Sequence, residues 1–268
     1  MIIDFHTHIF PDTIAKKTIS KLGSMIAQHP YTDATADGLL RSMKEAGVDY
    51  SVVLPVVTRP AQFQTVNAFA AEVTKRKGII SFGGLHPKTA DYKAELDYIA
   101  ELGLKGIKLH PDFQDTFIDE CCYIDLITYA LEKKLIVSIH AGKDEGLPEV
   151  VHCPPKRALI MIQEVQKRAS TDKLILAHTG GFAMWDAVEK YLAGQNLYMD
   201  ISFSRKEISK EQMVRIIQNH GADRILFGSD SPWDGQKETL EYVRSLGITE
   251  EEKKCILGEN AKTLLDLS

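Results

Sequence analysis

Eight short β-rich runs recur along the chain, each separated from the next by a helix-sized segment. They are Ile2–His6, Tyr50–Pro55, Ile79–Gly84, Leu104–Leu109, Leu135–His140, Lys173–His178, Leu197–Ile201 and Asp223–Phe227. Regular strand–helix alternation calls for a parallel sheet, because each crossover needs a helix to return the chain to the same edge. Eight repeats match an α/β fold of one kind, the (β/α)8 TIM barrel. The helix ends are readable. Thr35-Ala36-Asp37 precedes Leu39, Leu40 and Met43 at helical spacing, and Gly47 closes that segment. Ser209 is placed to cap 211–220, with Gly221 behind it. The stretch from Pro11 to Gln28 reads as an extra helical segment after strand 1. No linker or low-complexity stretch interrupts the pattern, so a single domain over 1–268 is expected. The competing architecture is a doubly wound open sheet. Its GxGxxG turn after the first strand is absent, and histidines stand there instead.

Composition narrows the class. A chain of 268 residues suits one such barrel, and 44% hydrophobic with 26% charged residues is ordinary for a globular protein. A net charge of -5 gives no reason to expect nucleic acid or an anionic membrane as partner. Cys121, Cys122, Cys153 and Cys255 form no CxxC and read as reduced thiols. Cys153 reads as an ordinary loop residue, since thiolate ligands usually come in sets. No basic leader precedes Ile2-Ile3-Asp4, and no apolar stretch nears the ~20 residues that span a bilayer. The expected location is cytoplasmic and the expected partner a small-molecule substrate, with room for a homodimer.

The chemistry gathers at strand ends. His6 and His8 sit at i and i+2, on one face of strand 1, where both imidazoles can reach one metal ion. His140 ends Ile136-Val137-Ser138-Ile139-His140, and His178 ends Leu174-Ile175-Leu176-Ala177-His178. Asp230 follows Ile225-Leu226-Phe227-Gly228-Ser229. In a barrel these carboxyl ends share one rim, where active sites are built. A single histidine ending a strand is usually just hydrogen-bonded, so the force of the reading lies in the set. Several histidines with one carboxylate suit Zn2+ or a similar divalent ion, with one ion favoured and two allowed. Counting back by two gives small inward residues beneath the rim: Ser138, Gly228, Gly84 and Gly106. Asp4 has the parity of His6, which would make it an imidazole-orienting carboxylate or a loop cap.

Strand 4 adds Lys108 and His110, again at i and i+2. An inward lysine needs a partner or a task. It would either grip a substrate anion, the favoured reading, or carry a carbamate bridging two metals. His110 and His86 are candidates for the substrate pocket. Arg59, Lys88, Lys143 and Arg205 also lie near the rim, and with Lys108 they suit a carboxylate-bearing substrate.

These pieces resemble the amidohydrolase superfamily, most closely its second amidohydrolase family, which includes aminocarboxymuconate-semialdehyde decarboxylase and related carboxylate-lyases. The resemblance rests on Asp4-Phe5-His6-Thr7-His8, Gly106-Ile107-Lys108-Leu109-His110-Pro111 and His140-Ala141-Gly142. It rests equally on His178-Thr179-Gly180-Gly181, Phe227-Gly228-Ser229-Asp230-Ser231-Pro232-Trp233 and Leu257-Gly258-Glu259-Asn260-Ala261. It implies a metal, usually zinc, on His6, His8, His140 and Asp230, with His178 on the metal-bound water or a second metal. The chain is short for the decarboxylases, which tilts the expectation toward hydrolysis of an amide, ester or lactone. In that reaction a metal would lower the pKa of water toward ~7. Asp230 would take the water's proton and His178 would hold the nucleophile or polarise the carbonyl. Non-oxidative decarboxylation of an aromatic or dienoic acid is the alternative. Specificity is expected from the loops Pro111–Glu120 and Ala141–Pro155.

Overall fold

The computed structural model describes residues 1–26, 28–147 and 149–267. Its strands are β1 (Ile3–Thr7), β2 (Tyr50–Val53), β3 (Ile79–Ser81), β4 (Gly83–Gly84), β5 (Gly106–Leu109), β6 (Ile136–Ile139), β7 (Leu174–Leu176), β8 (Tyr198–Asp200) and β9 (Ile225–Leu226). All pair in parallel, in the orders β1-β2-β3 and β4-β5-β6-β7-β8-β9. The third expected run, Ile79–Gly84, is thus two short strands on either side of Phe82. Phe82 donates its amide to Val53 O at 2.9 Å, which carries the edge across the gap. The other seam is closed by Phe5 N to Phe227 O and Asp230 N to His6 O, both 2.8 Å, and by a parallel bridge between Thr7 and Ser231. The strands therefore form the TIM barrel that the alternation predicts.

The helices follow the sequence signals. The extra segment is α1 (Asp12–Ile26). α2 (Ala36–Ala46) starts with Thr35 accepting the Gly38 amide and ends at Gly47, whose φ of 75° favours glycine. The other helices are α3 (Phe63–Val73), α4 (Tyr92–Glu101), α5 (Cys121–Glu132), α6 (Pro155–Gln166), α7 (Trp185–Tyr191), α8 (Lys210–His220), α9 (Gln236–Arg244), α10 (Glu250–Lys254) and α11 (Asn260–Leu264). Ser209 caps α8 by accepting the Gln212 amide at 3.2 Å. Among the described residues, no helix is long and apolar enough to cross a membrane.

Two apolar layers result. The larger lies between strands and helices; the smaller fills the barrel floor with Ile3, Phe5, Val52, Leu54, Phe82, Ile136, Ile175 and Leu226. Ala261 and Leu264 of α11 close that floor from below. Gly106 belongs here because a Cβ would stand 2.3 Å from Ile136 O and 2.8 Å from the Phe82 ring. Above the floor, a Cβ on Gly228 would stand 3.0 Å from His6 Cβ, so this glycine makes room for the imidazole.

β1 departs from simple alternation. Its register against β2 runs Ile3–Tyr50 and Asp4–Ser51, then shifts before Thr7–Val53. An extra residue in a strand turns the side chains beyond it to the other face. Phe5 joins the floor and His6 still reaches the interior, whereas Asp4 turns to α9. There it accepts Gln236 Nε2 at 2.8 Å, Ser229 Oγ at 2.5 Å and Ser229 N at 2.9 Å. Parity counting therefore misplaces Asp4, which orients no imidazole.

Candidate metal centre

The ends of β1, β6, β7, β8 and β9 bring their polar side chains together above the floor. His6 Nε2 lies 3.2 Å from His8 Nε2 and 3.3 Å from Asp230 Oδ1, and His8 Nε2 lies 3.0 Å from the same oxygen. The opposite ring nitrogens fix the tautomers. His8 Nδ1 stands 2.8 Å from Leu54 O, a carbonyl that can only accept, so Nδ1 carries the proton. His6 Nδ1 stands 3.0 Å from Asp200 Oδ2 and 2.9 Å from Ser202 Oγ. Burial alone would raise the Asp200 carboxyl. The charges of His6, His178 and Lys108 and the His6 hydrogen bond outweigh it and hold Asp200 below the usual carboxylate range. An ionised Asp200 keeps the His6 proton on Nδ1. Two imidazole lone pairs and a carboxylate oxygen then converge with no proton between them, an arrangement that fits a divalent cation.

Burial, reinforced by the Lys108 charge, lowers the His6 pKa to about 4, so this ring is neutral and free to ligate. Lys108 is buried, with Nζ 3.2 Å from His6 Nε2. Burial lowers its pKa to about 8, against the pull of Asp200 and Asp230. The rim backbone is strained where it presents these groups: His178, Thr179 and Asp230 have φ of 58°, 56° and 68°.

His178 and His140 stand beside this cluster. His178 Nε2 is 3.0 Å from His140 Nδ1, and His178 Nδ1 faces Ser202 O at 3.2 Å. His140 Nε2 points elsewhere, into a second group with His110 and Asp144. His110 and His140 stack with centroids 4.0 Å apart. His86 is buried, and its Nδ1 accepts the Lys88 amide at 3.1 Å. Arg59 is exposed. Arg205 is held by Asp234, with Nε to Oδ2 at 2.7 Å and Nη2 to Oδ1 at 2.6 Å, so its fork is already matched. Lys88 donates to Asp115 O at 2.9 Å. Of the predicted site residues, the structure thus gathers His6, His8, Lys108, His178 and Asp230 in one group, and His110 with His140 in another.

Sequence reasoning passed over Asp200, Ser202, Asp112, Asp144 and His152. Asp200 is the last residue of β8, one short of the end of the predicted run Leu197–Ile201, and so stood at a strand end like the chosen ligands. Asp112 lies two residues after His110, and Asp144 four after His140. His152 carried no local signal; it stands by Asp112 only because the loops fold together.

Comparisons with known proteins agree with this picture. The amidohydrolase family model matches residues 3–267, and the chain belongs to that family. It is therefore an enzyme-class α/β barrel with residues suited to a metal. No curated protein matches it. Among solved structures, an uncharacterised TIM-barrel protein of Bordetella bronchiseptica aligns with TM-score 0.76 at 18% identity, over 99% of this chain and 98% of that one. A 2,6-dihydroxybenzoate decarboxylase in complex with 2,6-dihydroxybenzoate aligns with TM-score 0.73 at 15% identity, over 99% of both chains. A Pseudomonas putida protein with a provisional name as a 2-pyrone-4,6-dicarboxylic acid hydrolase aligns with TM-score 0.69 at 17% identity, over 99% of this chain and 97% of that one. At these identities the likeness establishes the fold. It also removes the argument from length, because a decarboxylase aligns end to end with this chain.

Proposed function

We propose that the protein is a metal-dependent, non-oxidative decarboxylase of a small hydroxylated aromatic or dienoic acid. The single observation carrying the metal is the proton-free convergence of His6 Nε2, His8 Nε2 and Asp230 Oδ1 within 3.3 Å. The choice of decarboxylation over hydrolysis, the reverse of the order suggested by the sequence, is supported by the names of similar structures. These include the 2,6-dihydroxybenzoate decarboxylases and a 5-carboxyvanillate decarboxylase of Sphingomonas paucimobilis. Zinc suits the donor set, and manganese is the alternative, since a related decarboxylase structure holds it.

A divalent ion would supply Lewis acidity, drawing charge from paired oxygens of the substrate. Lys108, fixed beside His6, would grip the substrate carboxylate before carbon dioxide leaves. The broken carbon–carbon bond leaves its electron pair on the ring carbon. Asp230, ionised at rest, would take the proton of the substrate's hydroxyl group and deliver it to that carbon, and the product oxygen would regain a proton from solvent. Asp200 would keep His6 in the ligating tautomer, and His178 would line the face opposite His8.

Hydrolysis remains a second reading because hydrolase-named proteins of Pseudomonas putida and Acinetobacter baumannii share the fold. There Asp230 would take the proton of water and pass it to the leaving group, with His178 holding the nucleophile. Metal-loaded protein should be offered 2,6-dihydroxybenzoate, 5-carboxyvanillate and 2-pyrone-4,6-dicarboxylate. Metal-dependent release of carbon dioxide, lost in Asp230→Asn, supports the proposal. Opening of the pyrone without carbon dioxide release replaces it with hydrolysis.

A further inference from the structure

We propose that Gln114 is a positioning residue for the substrate half of the rim. Its buried carboxamide fastens the loops after β2, β4 and β5 to α5, and so holds His110 and His86 where a substrate would meet them. This deepens the function proposed above, and only the kinetic arm of its test rests on that reading.

The argument begins with the partners of this side chain. Gln114 Nε2 donates to Val57 O and Leu85 O, both at 2.8 Å. Gln114 Oε1 accepts the His110 amide at 3.0 Å and the Tyr123 hydroxyl at 2.5 Å. A carbonyl can only accept and a backbone N–H can only donate, so the orientation of the carboxamide is fixed. Both of its N–H donors and both lone pairs of its oxygen are used. Among side chains of this length, only glutamine offers that set from one planar tip. Gln114 is 2% exposed, and Tyr123 is fully buried. Val57, Leu85 and His110 all lie just beyond strand ends, after β2, β4 and β5. His6, His8, Asp200 and Asp230, which surround the metal position, stand instead at the ends of β1, β8 and β9. Asp200 thus orders the ligating half of the rim and Gln114 the half that faces it.

The hold passes directly to the pocket candidates. His110 gives its amide to Gln114 Oε1, and its carbonyl accepts Gln114 N at 3.0 Å, so its backbone is gripped from both sides. The His110 ring then stacks on His140 with centroids 4.0 Å apart and meets the Phe113 ring at 4.5 Å. Leu85, bonded through its carbonyl, immediately precedes His86. The turn that carries Gln114 is itself closed. Thr116 Oγ1 donates to Gln114 O at 2.8 Å, and the Thr116 amide reaches Pro111 O at 3.3 Å. Lys88 adds a second tie between the β4 and β5 loops through Asp115 O, at 2.9 Å. An apolar side chain at 114 would leave buried donors and acceptors of three loops and α5 unpaired at once, which is costly. Most of its partners are rim backbone and none belongs to the floor, so the loss should reach a bound ligand before it reaches the barrel.

The test compares Gln114→Met, which removes the carboxamide at similar length, with Phe82→Ala, which weakens the floor. Long-range proton–nitrogen correlation spectra of zinc-loaded protein report the imidazoles, with His110 assigned from His110→Gln. The His110 resonances should shift or double in Gln114→Met and stay in place in Phe82→Ala. The His6 and His8 resonances and the metal content should not change in Gln114→Met. Tyr123→Phe removes a single bond to Gln114 and should shift His110 less, in the same direction. It decides the question if circular dichroism shows that Gln114→Met does not fold. His110 resonances that stay unchanged, or that move equally in Phe82→Ala, overturn the proposal. In the kinetic arm, Gln114→Met receives whichever of the acids offered above wild type turns over. Its kcat/KM should fall about 100-fold, chiefly through a rise in KM, because the groups held by Gln114 bind rather than react. An unchanged KM overturns the proposal. If wild type turns over none of these acids, the proposed function fails and the spectra alone decide this inference.

Discussion

On β6, Ile136 lies in the apolar floor of the barrel, and His140, four residues further on, lies among imidazoles and carboxylates. The same contrast runs around the ring. The floor is Ile3, Phe5, Val52, Leu54, Phe82, Ile175 and Leu226, sealed by α11. The rim buries His6, Lys108, His110, His140, His178, Asp200 and Asp230. Burial stabilises the floor, where apolar area leaves water. The same burial works against the rim, where it lowers the pKa of His6, Lys108, His110 and His140. One end of the barrel thus holds the fold while the other is held in a state that a cation would relieve.

The comparison can be broken first at the floor. Phe82 is fully buried against Phe5, with centroids 5.8 Å apart, and it bridges β3 and β4. Phe82→Ala should cost about 3–5 kcal/mol of stability in urea unfolding, while the folded fraction keeps its metal stoichiometry. A loss of metal in folded Phe82→Ala protein would mean that floor and rim are not separable.

At the rim the signs reverse. Asp200→Asn removes the carboxylate that keeps the His6 proton on Nδ1. Metal affinity should fall about 10–100-fold, as for other carboxylates behind a ligating histidine. Thermal stability of the metal-free protein should change far less than in Phe82→Ala. An unchanged affinity in a competition titration would remove Asp200 from the account.

The smallest effect concerns Asp4, which sits between the two regions. Burial raises its carboxyl to about 6, against the hydrogen bonds from Ser229 and Gln236. From about pH 4 to 6 the folded state therefore binds this proton more tightly than the unfolded state, and this group's contribution to stability falls as pH rises. Asp4→Asn lacks that slope. Its deficit relative to wild type should narrow between pH 4 and pH 6 in denaturant titrations; a widening gap would reverse the assignment.

Much of this was legible in the sequence. Strand–helix alternation sets the barrel, and the caps at Thr35, Gly47 and Ser209 set helix ends, because these are local effects. His6, His8 and Asp230 were legible because strand ends in a barrel share a rim. Of the two roles open to Asp4, the imidazole-orienting one fails because period-two counting breaks at a bulge, which depends on pairing with β2. The break at Phe82 was hidden for a similar reason: it reflects ring packing across the floor. The Asp112–His152 contact joins two loops and leaves no mark in either. Arg205 looked free because its partner Asp234 lies on another loop.

The central claim is that the lone pairs of His6 and His8 meet Asp230 around a divalent ion. A crystal structure of Mn2+-loaded protein, with the ion located by anomalous scattering, tests it directly. The account predicts an anomalous peak at roughly 2.0–2.3 Å from His6 Nε2, His8 Nε2 and an Asp230 oxygen. A metal-loaded crystal with no peak there, and with His6 Nε2 still in contact with Lys108 Nζ, would contradict it.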